Sequence, residues 1–465
     1  MDKRLEGRQS RSEKLAAEPF FWNKTPQDPV FAAAKMAPTK KLEIFMKDAI
    51  LCVDIGTSSL KAALMPDSPK SIAYARANFT EKDESKIARE WVGALKQAVE
   101  ELKQKSPDTG IEAICISGNG PTVVSNNGLT LLWSKNAPTS VSDKKSMWIP
   151  RLDVFRKLHT HHWYESDKIF GTPEYLIYRL TGNAVTILPE ERFREIYWTE
   201  EQLKAEGFSD DEIKKLPPFV KPGTLAGKIT KQAAEETGLL EGTLVFCGAP
   251  DFVVALIGTD TLDTGMLCDR SGSSEGLNLC TPIPLNSPNI RTMPSIIPGM
   301  WNAAVIIPDT GSRFAIFKQK VEDELKTKIT HKKLVAQIVD TPTLENPQIL
   351  TDEQKKEGIA IIHDVTHQLW AALNILKKAS EEAGLPQPRS ITVTGGQALN
   401  EKWTQIKCDT LCVPFVVTEC VDAELAGDNI LARISLGYYD SIEEAAFVLV
   451  KKSHVYTPAM PADHA

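Results

Sequence analysis

The sequence has no long apolar stretch and no excess of positive charge. Its 465 residues carry a net charge of −7, from 54 basic and 61 acidic side chains, whereas proteins that bind nucleic acids usually show a basic footprint. No run approaches the roughly 20 apolar residues needed to cross a bilayer. The N-terminus is of mixed charge and lacks the apolar core of a secretory signal. We therefore expect neither a nucleic acid nor a membrane as a partner.

Cysteine is sparse, and its positions argue against a metal site. Several of the eight cysteines lie in apolar runs such as ILCVDI, where cysteine behaves as a small buried hydrophobe. Cys408 and Cys412 are close in sequence but have no second cysteine pair and no spaced histidines, so a zinc site is not expected. This cysteine usage is typical of a reducing compartment, and we expect a cytoplasmic protein.

The remaining composition is that of a globular protein, with 42% hydrophobic and 25% charged residues. Residues 1–46 look unlike the rest of the chain, and we interpret them as an N-terminal extension; whether it is mobile, and whether it belongs to the native protein, is left open. After residue 46, strand-like apolar runs alternate with helical periodicity, most clearly at residues 84–105 and 363–386, which predicts an α/β fold. Ser441 and Glu444 have the spacing of a helix capping box.

A polar turn separates the first two predicted strands. Asp54 ends an apolar run and is followed by Gly56, Thr57, Ser58 and Lys61. Such residues form turns for local reasons, but glycine, hydroxyls and lysine also suit a bound phosphate. A carboxylate at the end of a strand suits Mg²⁺. The stretch alone leaves both interpretations open.

Three later stretches complete a candidate site. Asp251 follows the run TLVFCGAP, a second small polar turn lies at residues 272–274, and a glycine pair follows a strand in TGGQALN. Two such turns could hold phosphates from opposite sides, and a glycine pair lets a nucleoside lie against the backbone. Asp251 could take a proton from a hydroxyl that attacks a phosphate. An acid at this position can also simply cap the following helix.

In their order, these motifs resemble those of the FGGY carbohydrate kinases, within the actin-like ATPase superfamily. The resemblance runs from about residue 49 to 447 and includes DIGTSSLKAAL, YLIYRLTGN, GTLAGKITKQAAEETGLLEGTLV, CGAPD, SGSS and VTGGQALNEKWTQIKCDTLCVPF. It implies two RNase H-like (actin-like ATPase) domains, at residues 47–258 and 259–465, flanking a nucleotide cleft. It also implies ATP, Mg²⁺ and phosphorylation of a hydroxyl on a sugar or related small polyol.

The resemblance assigns roles to individual residues. Asp251 would be the general base, and Asp54 and Asp251 would hold Mg²⁺. The nucleotide would contact a larger set, namely Asp54, Gly56, Thr57, Ser58, Lys61, Gly272, Ser273, Ser274, Gly395, Gly396, Gln397 and Asn400.

The acceptor residues depart from the family pattern. Asn119 stands where the family usually has glutamine, and residues 120–121 carry no polar side chain. Trp133 is kept, but Lys135 and Ala137 replace an acid and an arginine. Because a polyhydroxy substrate needs matched polar partners, the residues predicted to bind the acceptor differ from those expected for a common sugar.

Asn119, Trp133 and Asp251 remain the candidate substrate contacts. Three interpretations stay open. The enzyme phosphorylates an unusual or less polar alcohol, or it binds a common sugar through different residues. Alternatively, it is a catalytically impaired nucleotide-binding relative with a regulatory or scaffold role. A homodimer is also left open.

Overall fold

The computed structural model describes residues 47–135, 141 and 145–459. The proposed extension at residues 1–46 therefore lies outside the described residues. Among the helices that are described, none combines the length and the apolar character needed to cross a membrane.

The described strands are β1 Lys47–Ile55, β2 Ser59–Met65, β3 Ala73–Asn78, β4 Thr109–Gly118, β5 Val123–Ser125, β6 Thr130–Leu131, β7 Ile169–Phe170, β8 Thr186–Ile187, β9 Phe219–Val220, β10 Leu225–Lys228, β11 Leu244–Pro250, β12 Leu267–Ser271, β13 Glu275–Thr281, β14 Arg291–Pro294, β15 Trp301–Ile307, β16 Ile391–Thr394, β17 Phe415–Thr418 and β18 Lys452–Tyr456.

The described helices are α1 Ile87–Lys105, α2 Ile149–Leu158, α3 Thr160–Glu165, α4 Thr172–Thr181, α5 Arg194–Tyr197, α6 Glu200–Ala205, α7 Asp210–Ile213, α8 Lys231–Thr237, α9 Asp251–Gly258, α10 Thr310–Leu325, α11 His331–Val339, α12 Asp352–Glu382, α13 Glu401–Leu411, α14 Ala423–Ser435 and α15 Ile442–Leu449. Short 3₁₀ helices lie at Glu191–Phe193 and Gly396–Leu399.

The first sheet has six strands in the order β10-β11-β4-β1-β2-β3. β1 pairs antiparallel with β2 and parallel with β4, and β4 pairs parallel with β11. Helices α1, α4 and α8 pack with these strands around one core cluster. Because the three parallel strands end at the same edge, residues that follow β1, β4 and β11 meet there.

The second sheet has seven strands in the order β14-β15-β13-β12-β16-β17-β18. β12 is parallel to β16 and β16 is parallel to β17, while β13, β14 and β15 pair antiparallel. The turn after β12 and the glycine pair after β16 therefore lie at one edge of this sheet. The alternation of strands and helices confirms the predicted α/β class.

One helix of the C-terminal part packs away from its own sheet. The two large sheets lie on either side of the predicted boundary at residue 258, but α14 contacts β1, β2, β4 and β11 of the first sheet. Its apolar side chains, such as Leu425 and Ile430, share a core cluster with Ile50 and Cys52 of β1. The exact domain limits remain a prediction.

Local capping explains two differences from the predicted helices. α12 begins at Asp352, earlier than the predicted residue 363, because Thr351 and Gln354 cap each other's backbone at 3.2 and 2.9 Å. At α15, Ser441 Oγ accepts a bond from the Glu444 N–H at 3.1 Å, as the capping box predicts. The Glu444 carboxylate, however, accepts from the Asp440 N–H at 2.8 Å, one residue before the expected partner.

Candidate active site

The first polar turn joins β1 to β2 and exposes its hydroxyls. The Gly56 N–H donates to the Ser59 carbonyl at 3.0 Å, which closes the turn and leaves Thr57 and Ser58 at its exposed tip. The antiparallel register places Asp54 directly opposite Lys61. The sequence-predicted cluster is therefore brought together by the hairpin itself.

Lys61 faces three carboxylates. Its Nζ lies 2.8 Å from Asp422 Oδ1, 3.8 Å from Glu424 Oε2 and 3.9 Å from Asp54 Oδ2. Burial lowers the pKa of Lys61, but the charges of Glu424, Asp422 and Asp54 outweigh burial and raise it above the ordinary value. Lys61 is thus a firmly charged group, and its contact with a phosphate stays a prediction.

Asp54 is buried and electrostatically crowded. Burial is the main cause that raises the pKa of its carboxyl to about 8; Lys61 opposes this, and Glu424, Asp251 and Asp422 add to it. Its Oδ1 is buried and accepts no hydrogen bond from the described residues. An unpartnered, buried carboxylate oxygen is what a divalent cation would satisfy.

Asp251 is the first residue of α9, directly after β11. Its Oδ1 accepts from the Phe252 N–H at 2.6 Å, and its Oδ2 lies 3.5 Å from Arg270 Nη2. The carboxylate therefore accepts from the next residue but does not cap the helix, because the cap position is Pro250 and no described side chain caps α9. It also keeps 34% of the side chain exposed and lines a pocket, as the catalytic interpretation requires.

Arg270 and Glu424 were missed by sequence reasoning, although they connect the site. Arg270 Nη2 lies 3.6 Å from Glu424 Oε1 as well as 3.5 Å from Asp251. Glu424 in turn lies 3.8 Å from Lys61. This chain of ion pairs joins the first turn, the carboxyl end of β11 and the strand that precedes the second turn. Arg270 stands two residues before Gly272, and that proximity was the available signal.

The second polar turn lies between β12 and β13, and its three residues are exposed. The Gly272 N–H donates to the Ser274 carbonyl at 3.1 Å. Ser312 supports the turn, since its N–H and hydroxyl donate to the Ser273 carbonyl at 3.1 and 3.2 Å. The Ser274 hydroxyl oxygen accepts from the Asp309 N–H at 3.3 Å but can still donate its hydrogen, and the exposed Ser273 side chain has no partner among the described residues.

The segment at the start of α10 was also missed. A Cβ added to Gly311 would lie 2.0 Å from the Gly272 carbonyl oxygen, so this backbone packs directly on the second turn. The neighbouring Thr310 hydroxyl is buried and has no hydrogen-bond partner among the residues that the structure describes. The sequence signal was PDTGSR, a cluster of turn-forming residues after a strand.

The glycine pair after β16 lies against the same strand. Gly395 has φ +90°, and an added Cβ would lie 2.4 Å from the Ser271 carbonyl oxygen, whereas Gly396 faces open space. Asn400 is buried and caps α13, since its side chain accepts from the Trp403 N–H at 3.3 Å. Gln397 and Asn400 lie beside the glycine pair, but their contact with adenosine stays a prediction.

A buried ion cluster supports both of these loops. Lys407 Nζ lies 3.0 Å from Glu275 Oε1, 3.2 Å from Asp269 Oδ2 and 3.3 Å from Ser271 Oγ. Burial lowers the pKa of Lys407, but Asp269 and Glu275 outweigh it and raise the value. The cluster ties α13 to β12 and β13 immediately behind the second turn.

The acceptor side contains a pocket of about 240 Å³. At one end, Asn119 Nδ2 and Trp133 Nε1 both donate to Thr57 Oγ1 at 3.2 Å. Asn119 Oδ1 accepts from the Thr172 hydroxyl at 3.3 Å. The structure therefore brings the predicted substrate residues Asn119 and Trp133 to the first polar turn, with Asp251 lining the same pocket.

The rest of the pocket is mainly apolar. Its walls include the segment just before α2, the 3₁₀ helix at Glu191–Phe193 with α5, and strands β14 and β15. The apolar and aromatic lining residues include Met147, Trp148, Phe193, Tyr197, Phe252, Met293 and Ile306, of which Trp148 and Tyr197 also carry an N–H and an O–H.

A magnesium site fits one carboxylate better than a cage of protein ligands. Within the described part of the chain, no group of three or more His, Cys, Asp or Glu side chains is placed to hold a metal. Mg²⁺ commonly binds through one or two carboxylates, waters and substrate phosphates. Asp54, with its unpartnered Oδ1, fits that role; Asp251 is already 3.5 Å from a guanidinium and fits it less well.

Comparison with known proteins gives relatives along most of the chain. No family model matches the sequence. A xylulose kinase of Staphylococcus epidermidis is 22% identical over 89% of this chain and 93% of its own length. An autoinducer-2 kinase of Yersinia enterocolitica is 26% identical over 52% of each chain.

Solved structures share the fold over a similar extent. The ligand-bound xylulose kinase of Lactobacillus acidophilus superposes with a TM-score of 0.69 at 18% identity, covering 89% of this chain and 94% of that one. A gluconate kinase of the same organism gives 0.68 at 19% identity with equal coverage. The Plasmodium falciparum glycerol kinase with ADP gives 0.66 at 14% identity, again covering 89% and 94%. Sequence likeness along most of the chain to sugar kinases supports the resemblance to the FGGY carbohydrate kinases, and the shared fold is the two-domain fold of the actin-like ATPases.

Proposed function

We propose that the protein transfers the γ-phosphoryl group of ATP to a hydroxyl of a small sugar-like alcohol, with Asp251 as general base and Mg²⁺ at Asp54. One observation carries the proposal. Asp251 lines the acceptor pocket and is joined through Arg270 to the strand that leads into the second polar turn. A base at that position would lie between an acceptor hydroxyl and the phosphates.

Each group then has a physical role. Asp251 accepts the proton of the attacking hydroxyl, and its Oδ2 is the oxygen not bonded to the α9 backbone. In phosphoryl transfer the protein mainly positions reactants and stabilises charge. Thr57, Ser58, Ser273 and Ser274 offer hydroxyls and backbone N–H groups to the phosphates. Asp54 would hold Mg²⁺, which when bound neutralises negative charge on the phosphates.

The alternative of a nucleotide-binding relative without transfer activity is not favoured. The relatives and structural neighbours are named as kinases of xylulose, autoinducer-2, gluconate and glycerol. The acid proposed as base is also present and faces the pocket.

The direct test is ADP release with Mg·ATP and a panel of sugars, comparing wild type with Asp251→Asn. We expect turnover to fall by about 10²–10⁴-fold, the range for loss of a general base, while calorimetry shows ATP binding retained. Asp352→Asn is the matched control, because Asp352 is likewise the first residue of a helix but is exposed and lines no part of the pocket.

Two outcomes would contradict the role of Asp251. Turnover retained in Asp251→Asn would show that another group accepts the proton. Loss of ATP binding together with turnover, absent in Asp352→Asn, would show that Asp251 serves the nucleotide and not the acceptor.

A further inference from the structure

We propose that the acceptor is a small hydroxy acid, whose carboxylate is bound by Arg291 while its hydroxyl faces Asp251. This inference rests on the proposed function and names the substrate class of the same pocket. It is carried by the charges and hydrogen bonds of the groups that line the pocket.

Four ionisable residues line the pocket, and three of them have a bonding partner within the protein. Asp251 and Arg270 pair with each other at 3.5 Å. Glu174 is buried, and burial raises the pKa of its carboxyl to about 7. One of its oxygens accepts from the Ile187 N–H at 3.0 Å. The fourth charged residue is Arg291.

Arg291 forms no close ion pair among the described residues, since no described carboxylate oxygen lies within 4.0 Å of it and the charge of Asp251 acts on it only from a greater distance. Its guanidinium instead donates to Met147 Sδ at 3.1 Å. A thioether is a weak acceptor, whereas a guanidinium offers five donors and keeps its charge at any physiological pH. Arg291 is exposed and also lines the pocket, so it lies at the pocket mouth.

The uncharged polar groups are mostly occupied by one another. Asn119 bonds to Thr57 and Thr172. Asn302 Nδ2 donates to Asn278 Oδ1 at 3.2 Å, and Asn278 Nδ2 donates to the Gly276 carbonyl at 2.7 Å. Asn302 Oδ1 is then the amide oxygen that has no partner among the described residues.

These contacts favour an acid over a neutral polyol. A hydroxyl buried without a partner costs about 1–3 kcal/mol, and apolar walls offer several hydroxyls few partners. A carboxylate and a guanidinium form two parallel charge-assisted hydrogen bonds. One unpaired cation also matches the single charge of a carboxylate better than a phosphate ester, which carries about two negative charges.

The experiment measures ADP release with matched pairs of acceptors that have the same carbon number: aldoses or polyols against the corresponding aldonic acids, with sugar phosphates as a third set. Wild type, Arg291→Gln and Arg291→Lys are compared. Arg89→Gln is the control, because Arg89 is exposed on α1 and outside the pocket.

We expect the acids to have the highest kcat/KM in wild type. Arg291→Gln should lower this value for acids by about 10–100-fold, the worth of a charge-assisted hydrogen bond. The loss should be mainly in KM, with neutral acceptors unchanged. Arg291→Lys should restore part of it, and Arg89→Gln should behave as wild type. A preference for neutral sugars or sugar phosphates, or an equal loss for all acceptors in Arg291→Gln, would overturn the inference and leave the kinase function standing.

A second measurement separates this inference from the proposed function. If ATP binds but no acceptor is phosphorylated, the proposed function fails. Calorimetric titration of the aldonic acids into the protein without ATP then decides the inference alone. Binding that is lost in Arg291→Gln supports it, and the absence of binding to wild type overturns it.

Discussion

The two sides of the cleft differ in the contacts that shape them: backbone contacts on one side and side-chain packing on the other. On the proposed nucleotide side, backbone packs on backbone: a Cβ added to Gly311 would lie 2.0 Å from the Gly272 carbonyl oxygen, and one added to Gly395 would lie 2.4 Å from the Ser271 carbonyl oxygen. On the acceptor side, the pocket is walled by large apolar side chains. Where backbone packs this closely only glycine fits, whereas an apolar wall can be formed by many different apolar side chains. The nucleotide side therefore keeps recognisable motifs, and the acceptor side is free to change.

The largest stability effect should come from the ion cluster behind the nucleotide side. Lys407→Met leaves Asp269 and Glu275 buried without their cation, and we expect the free energy of unfolding to fall by about 3–5 kcal/mol. Chemical denaturation measures this. If the variant does not fold, Lys407→Arg, which keeps the charge, tests the same cluster by a smaller loss.

The control for this prediction is a surface ion pair. Lys402 lies 2.6 Å from Asp340, and both side chains are partly exposed. Lys402→Met should therefore change the free energy of unfolding by less than about 1 kcal/mol. If both substitutions changed the free energy of unfolding equally, the buried cluster would stabilise the protein no more than a surface ion pair does.

On the acceptor side, replacing the buried Glu174 should make the protein more stable. Burial raises the pKa of Glu174 from 4.5 to about 7. Above pH 4.5 the unfolded chain ionises while the folded carboxyl stays neutral, so wild type loses stability as the pH rises towards 7. The loss amounts to about 3 kcal/mol, at 1.36 kcal/mol per pKa unit.

Glu174→Gln removes this loss, and its amide oxygen can still accept from the Ile187 N–H. The variant should gain relative to wild type between pH 5 and pH 8 when denaturation curves are compared. Glu235→Gln, an exposed position on α8, is the control. A stability difference independent of pH would contradict the buried, raised pKa.

The same contrast explains what the sequence could predict. Asp54 and Asp251 and the polar turns lie at the ends of strands, so local sequence patterns were enough to place them. Arg270, Glu424 and Lys407 could not be placed, because their partners come from distant segments; Lys407, for example, lies 138 residues from Asp269. The packing of α14 on the first sheet, which brings Glu424 to Lys61, likewise depends on tertiary structure.

The acceptor pocket was the hardest part to predict. Its family pattern is altered at residues 119–121 and at Lys135 and Ala137, and Ala137 lies outside the described residues. Arg291 follows no motif in the sequence. Its role becomes visible only in the folded chain, where β14 and β15 line the same pocket as Asp251.

The smallest expected effects test the comparison itself, by one substitution on each side. Gly395→Ala should cost about 1–3 kcal/mol through backbone strain at φ +90°, to which the contact of the added methyl group with the Ser271 carbonyl adds, and it should weaken ATP binding because the methyl group pushes the loop from Ser271. Gly384→Ala separates these causes, since Gly384 has φ +68° but faces open space; this variant should lose stability and keep its affinity for ATP.

On the acceptor side, Met293→Leu conserves volume and should cost less than about 1.5 kcal/mol of stability. It should alter KM for the acceptor and not for ATP. If Met293→Leu harmed ATP binding as much as Gly395→Ala, the two sides would be one cooperative unit, and the freedom inferred for the acceptor side would be wrong.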